Sequence, residues 1–234
     1  MNLKGWVRTS LIDYPDHIAT VLFTGGCDFR CPMCHNADLV LRYEQMPALP
    51  GEAVWALLER RQGLLDGVVI TGGEPTLQRD LVPFIHRLRD RAPRLDVKLD
   101  TNGYHPDVLA DLLDRGLLDD VALDVKAPPD RYPRLAGLRD VDVTRVARSV
   151  ALLRESGISH ECRTTVVPGL LDTDDVEVIA RWIAGADLYV LQQFRAQHTL
   201  DPTLAEVSPY PVARLQAMAE RASQYVPRVQ VRGG

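Results

Sequence analysis

Six apolar runs, each tied to a neighbouring stretch of helical periodicity, leave this chain few folds to choose from. They are 17–23, 67–71, 95–100, 120–126, 162–167 and 188–194, and the helical stretches are 51–62, 77–90, 106–115, 141–156, 173–184 and 211–225. In the first of these, Val54, Trp55, Leu57 and Leu58 give one buried face. Crossovers of this length join parallel neighbours with right-handed connections, so the expected class is α/β with a parallel sheet. Periodicity alone leaves open a doubly wound open sheet and a partial (β/α)6 TIM-type barrel. The polar motifs fall at the C-terminal ends of nearly all six strands rather than at one switch point, which favours the barrel. A short helix over 37–43 and an edge strand over 228–231 are further expectations. At 234 residues, with no linker, internal repeat or low-complexity tract, one domain over 1–234 is expected.

Three of the four cysteines are Cys27, Cys31 and Cys34, spaced C-x3-C-x2-C on the loop after the first apolar run and Gly25-Gly26. Soft thiolates select zinc, Cu(I) or iron–sulfur clusters. A structural zinc site is closed by four protein ligands, usually from two separated pairs. No second C-x2-C pair exists here, and Cys162 stands alone downstream. A cubane cluster has four irons to ligate, so three cysteines leave one iron open to an outside ligand. A zinc site completed by His35 or Cys162, and simple unligated thiols, remain as alternatives. Cys162 itself reads as a small core hydrophobe on the strand face opposite Arg163.

The cysteine spacing after a strand resembles the radical S-adenosylmethionine (SAM) superfamily. Cys34-His35-Asn36, with Asp13-Tyr14-Pro15-Asp16 upstream, is closer still to glycyl-radical-enzyme activases, in particular the activating proteins of anaerobic ribonucleoside-triphosphate reductase. One position departs from the superfamily pattern. The residue before the last cysteine is usually aromatic and here is Met33, whose polarizable side chain can still cover an adenine face. The resemblance spans essentially the whole chain and implies the partial barrel. It also implies a [4Fe-4S] cluster on Cys27, Cys31 and Cys34, with SAM chelated to the open iron through its amino and carboxylate groups.

The strand-end motifs fit that resemblance. Gly72-Gly73-Glu74-Pro75 lets a ligand approach the backbone and sets a carboxylate beside it, although a tight turn with a solvated glutamate would read the same. By resemblance Gly72, Gly73 and Glu74 meet the SAM ammonium. Asp100-Thr101-Asn102-Gly103 is either an Asx-type turn or, as the activases imply, a place where Asp100 and Thr101 help hold SAM. Asp124 and Lys126 share one strand face. They read as an internal salt bridge or as the activases' D-x-K pair that contacts SAM. The resemblance further implies a monovalent cation beside the SAM carboxylate, and hard oxygens from Asp100, Thr101 and Asp124 suit it. Arg163 can clamp a carboxylate bidentately or serve a plain internal ion pair. On the last of the six strands Gln193 and Arg195 stand where formate-lyase activases carry a histidine near the adenine, and Gln192-Gln193-Phe194 resembles the ribonucleotide-reductase type. His35 is a hydrogen-bond donor candidate beside the cluster loop.

Net charge is −5 with a pI near 5.7, which gives no electrostatic case for nucleic acid. No 18-residue apolar stretch or signal-peptide core is present, so no membrane partner and a cytoplasmic location are expected. Cysteines grouped as three plus one do not read as a disulfide framework. The expected function is a radical SAM activase that cleaves SAM reductively and places a glycyl radical on a partner enzyme, fed by a flavodoxin or ferredoxin-type reductant. No side chain beyond the cluster ligands is required as acid or base. The alternatives are a small-molecule radical SAM enzyme of the 7-carboxy-7-deazaguanine synthase kind and a non-catalytic metal-binding interaction module.

Overall fold

The computed structural model describes Met1–Gly233. The chain forms two compact units, Met1–Asp28 with Asp38–Thr101 and Asp107–Val121, and Phe29–Ala37 with Asn102–Pro106 and Ala122–Gly234. In the first, β1 (Leu3–Ser10) pairs antiparallel with β2 (Ala19–Thr24). β2, β3 (Gly67–Gly72) and β4 (Asp96–Thr101) are parallel. Helices α1 (Ala37–Leu41), α2 (Gly51–Arg60), α3 (Leu81–Arg91) and α4 (Pro106–Asp114) lie between or after these strands. β5 (Asp120–Asp124) bridges the division in sequence.

The second unit carries α5 (Tyr132–Ala136), α6 (Val143–Ser156), β6 (Ser159–Val166), α7 (Thr173–Trp182), β7 (Leu188–Gln193), α8 (Val212–Ala222) and β8 (Val229–Arg232). β6, β7 and β8 are parallel. The fold is thus α/β with a mostly parallel sheet, and all six expected strands form. Two corrections apply. β1 is an additional strand, buried only at Leu3 and Ser10, so its sequence carries no sustained apolar alternation. α5 is a helix outside the expected set, in the stretch between the expected strand 120–126 and the expected helix 141–156. Among the described residues no helix is long and apolar enough to cross a membrane.

The Asp13-Tyr14-Pro15-Asp16 motif closes the N-terminal end of the first unit's parallel strands. Tyr14, only 5% exposed, packs on Ala19, Val21, Phe23 and Val69. A Cβ on Gly67 would lie 2.8 Å from its ring, which is why β3 starts on glycine. His17 stacks on the same ring with centroids 3.8 Å apart. Lys98, 1% exposed, donates from Nζ to the Asp13 carbonyl at 2.8 Å and lies 3.9 Å from Asp100 Oδ1. A lysine between Val97 and Leu99 in an apolar strand is the only sequence signal of this anchor.

His17 gives the motif a pH dependence. Burial pulls its pKa down, but the Pro15 carbonyl on Nδ1 and the Asp96 carboxylate on Nε2, at 2.7 and 3.0 Å, outweigh it and raise it above 6.5. A raised folded pKa stabilises fully below the unfolded value of about 6.5, and that contribution is lost as pH rises through the folded value. Denaturant titrations are expected to show the stability difference between the protein and His17→Asn shrinking from about pH 6 to about pH 8. A difference independent of pH would exclude the coupling.

Candidate functional site

In the first unit the glycine-rich turn after β3 is fixed to the backbone that leads into Cys27. Gly73 N–H donates to Thr24 O at 2.9 Å and Glu74 N–H to Gly26 O at 2.7 Å. Gly26 N–H donates to Leu39 O at 2.8 Å, and Gln78 Nε2 to Gly25 O at 3.0 Å. A Cβ on Gly72, at φ +118°, would stand 2.4 Å from Thr24 N, and one on Gly73 would stand 2.0 Å from Gly26 O. The close approach that requires these glycines is therefore made, in this unit, by the chain's own backbone. Cys27 Sγ lies 3.9 Å from Asp28 Oδ1.

Glu74 is 1% exposed, and its Oε1 accepts from Thr76 N at 3.0 Å, Thr76 Oγ1 at 2.5 Å and Thr101 Oγ1 at 2.7 Å. The structure thus brings together Glu74 and Thr101, which come from two separate motifs. It also sets Asp100 beside Lys98. A carboxylate this deep is held by multiple donors, as burial of charge requires.

In the second unit Cys31 and Cys34 end one turn, closed by Cys34 N–H to Cys31 O at 3.0 Å. The ends of such a turn lie within about 7 Å, close enough to serve one centre. The turn is pinned from both sides. Arg30 N–H donates to Ala136 O at 2.8 Å, and a Cβ on Gly137, at φ +69°, would meet Arg30 O at 2.0 Å. Leu200 N–H donates to Cys34 O at 3.0 Å and Asp201 N–H to Pro32 O at 2.9 Å, while His35 Nε2 lies 2.8 Å from Arg195 O. Apart from His35, this 195–201 brace has no signature in sequence, because Leu200 and Asp201 hold the turn through main-chain groups. Met33 is 5% exposed and Cys31 8%.

Asp124 sits between two cations. Its Oδ1 accepts from Arg163 Nε at 2.8 Å and its Oδ2 from Lys126 Nζ at 3.0 Å. Burial alone would push the carboxyl up, but Arg163 and Lys126 outweigh it and hold it at about 2. For Lys126, burial works to lower the ammonium's pKa and the Asp124 carboxylate more than restores it. The internal salt bridge and the internal arginine ion pair expected separately are thus one three-residue cluster. Burial pushes the Cys31 thiol up to about 11 against the pull of Lys126, so a metal that binds it must displace a proton.

Gln193 and Cys162 are engaged elsewhere. The Gln193 amide donates to Tyr210 O at 2.8 Å and holds the segment before α8. Cys162 is 1% exposed, and burial pushes its thiol up to about 12, in keeping with a core position. None of the four cysteines forms a disulfide. A turn with thiols at both ends, near the half-buried Lys126 ammonium that favours thiolate, is a donor set that fits an iron–sulfur centre.

The model of the radical SAM superfamily matches residues 21–183. A Methanocaldococcus jannaschii protein whose name is that of a candidate glycyl-radical enzyme activating enzyme is 34% identical, over 98% of this chain and 95% of its own. A 7-carboxy-7-deazaguanine synthase of Thermococcus kodakarensis is 26% identical over 71% of this chain and 70% of its own. Among solved structures, Streptococcus suis SuiB bound to its precursor peptide SuiA superposes with a TM-score of 0.67 at 15% identity, over 91% of this chain and 48% of that one. The same enzyme bound to SAM gives 0.66 at 16% identity, over 89% of this chain and 48% of that one. A family model that covers most of the chain, a full-length relative and a shared fold converge on one conclusion: the chain belongs to the radical SAM superfamily and is an enzyme of its radical chemistry.

Proposed function

We propose that the protein is an activase that generates a glycyl radical on a partner enzyme, with an anaerobic ribonucleotide reductase as the partner. The observation that carries this reading is the 34% identity, over nearly all of both chains, to the M. jannaschii relative named for that activity. In this reading 1–234 acts as a single radical SAM domain. Cys27, Cys31 and Cys34 hold a [4Fe-4S] cluster, and a flavodoxin or ferredoxin-type protein is the reductant. With SAM bound, the reduced cluster supplies a 5′-deoxyadenosyl radical and methionine.

This chain's residues bind and orient. The backbone of Gly72 and Gly73 and the carboxylate of Glu74 receive the SAM ammonium, and Thr101 fixes Glu74 for that task. Asp124 aims Arg163 and Lys126 at the SAM carboxylate, and Asp100 is assigned to SAM by the same resemblance. Met33 covers the adenine, and Gln193 keeps the 195–211 segment in place near it. Asp100, Thr101 and Asp124 are the oxygens this reading offers a monovalent cation, which at Asp124 competes with Arg163 and Lys126.

Anaerobic incubation of the reconstituted protein with SAM, a reductant and the candidate reductase is expected to give a glycine-centred electron-spin-resonance doublet on the reductase. It should also release about one 5′-deoxyadenosine per radical formed, as transfer of a single hydrogen atom requires. The likeness to the deazaguanine synthase supports a second reading, in which the substrate is a small molecule. 5′-Deoxyadenosine release stimulated by a pterin-like compound, with no radical on any protein, would replace the first reading by the second.

A further inference from the structure

β8 brings Arg232 to a buried carboxylate two strands away. Its Nη1 and Nη2 donate to Glu161 Oε1 and Oε2 at 3.0 and 2.9 Å, a bidentate pair. The Glu161 side chain, on β6, is 6% exposed. Two residues on along β6, and on the same face of the strand, Arg163 holds Nη1 3.9 Å from Glu161 Oε1 while its Nε donates to Asp124 at 2.8 Å. Lys126 completes the row at 3.0 Å from Asp124. Charges therefore alternate from Arg232 through Glu161, Arg163 and Asp124 to Lys126.

Two guanidinium groups thus face one buried carboxylate. Arg232 takes both of its oxygens, and Arg163 is left at the longer distance, committed to Asp124. Without Arg232, Glu161 would be a buried anion that has lost a bidentate partner, and Arg163, already 3.9 Å away, is a cation able to move onto it. We propose that Arg232 is a positioning residue for Arg163: by satisfying Glu161, which would otherwise compete for it, Arg232 keeps Arg163 turned toward Asp124 and available to the carboxylate of an amino-acid-type ligand. This rests on the reading of Arg163 as a clamp for the SAM carboxylate.

The arrangement predicts a sign that packing alone does not give. In Arg232→Gln the Glu161 carboxylate draws Arg163 to itself, and the ligand carboxylate must compete with it. SAM affinity is expected to fall roughly tenfold, within the range of couplings between contacting charged residues. Glu161→Gln removes the competitor, so SAM affinity should stay unchanged or tighten. The double variant Arg232→Gln/Glu161→Gln should return to within about threefold of the parent, a non-additive rescue.

The test is equilibrium SAM binding to the anaerobically reconstituted protein and its single and double variants, read with the electron-spin-resonance change of the reduced cluster on SAM addition and with thermal unfolding of each variant. Loss in Arg232→Gln with recovery in the double variant supports the inference. Three outcomes overturn it: a double variant as weak as Arg232→Gln, a Glu161→Gln loss as large as that of Arg232→Gln, or a lowered melting temperature with SAM affinity unchanged. Arg163→Gln separates the two levels. If it leaves SAM affinity intact, the clamp reading itself fails; if it abolishes binding while Arg232→Gln has no effect, only the positioning role fails.

Discussion

A variant in which Cys27, Cys31 and Cys34 are all serine is expected to purify without iron and to release no 5′-deoxyadenosine from SAM. The serine hydroxyl is a hard donor that does not ionise near neutral pH, so it cannot replace a soft thiolate around iron. The parent should carry about four irons after anaerobic reconstitution and the variant only background. Cys162→Ser is the matched control. Its thiol is 1% exposed in the core, so iron content and SAM cleavage should stay at the parent level. Iron and acid-labile sulfide assays with product chromatography decide the matter. Full iron and turnover in the triple variant would remove the basis of the proposed function.

Gly73→Ala is expected to be the most damaging single substitution in the first unit. The added methyl would stand 2.0 Å from Gly26 O, the carbonyl that accepts Glu74 N–H at 2.7 Å. The methyl is fixed to its own backbone and the oxygen it meets is main chain, so no side chain can swing away to relieve the overlap. A cost on the order of 4 kcal/mol or more follows, a large share of the 5–15 kcal/mol that holds a typical domain together. Gly51→Ala, where nothing lies within 4 Å of the new methyl, is the comparison and should be neutral or mildly stabilising at the start of α2. Chemical unfolding of the two variants side by side gives the answer, and equal stability would refute the contact.

The strand–helix alternation was legible because each parallel strand is an apolar run bounded by turn residues, and β3, β5 and β7 fall within one or two residues of where that pattern puts them. β1 was not legible, since this edge strand is buried only at its end residues, Leu3 and Ser10, and so carries no apolar pattern. Motif spacing led to Glu74, Asp100, Thr101, Asp124 and Arg163 as polar strand-end residues, yet which of them would touch depended on pairings formed only in three dimensions. The Thr101–Glu74 bond and the sharing of Asp124 by Lys126 and Arg163 are of that kind. Lys98 and Glu161 escaped notice for a related reason. A lone charged residue inside a strand gives no clue to its partner, here the Asp13 carbonyl and Arg232.

The cysteine-bearing loop is gripped by its peptide groups. Glu74 N–H holds Gly26 O in the first unit, and in the second unit Ala136, Leu200 and Asp201 hold Arg30, Cys34 and Pro32 through main-chain hydrogen bonds. Peptide groups are common to every amino acid, so the path of the loop is indifferent to many of the side chains it displays. Exposed positions along it are therefore open to rewriting by evolution or by an engineer, who can change the surface the loop presents without moving the sulfurs it carries.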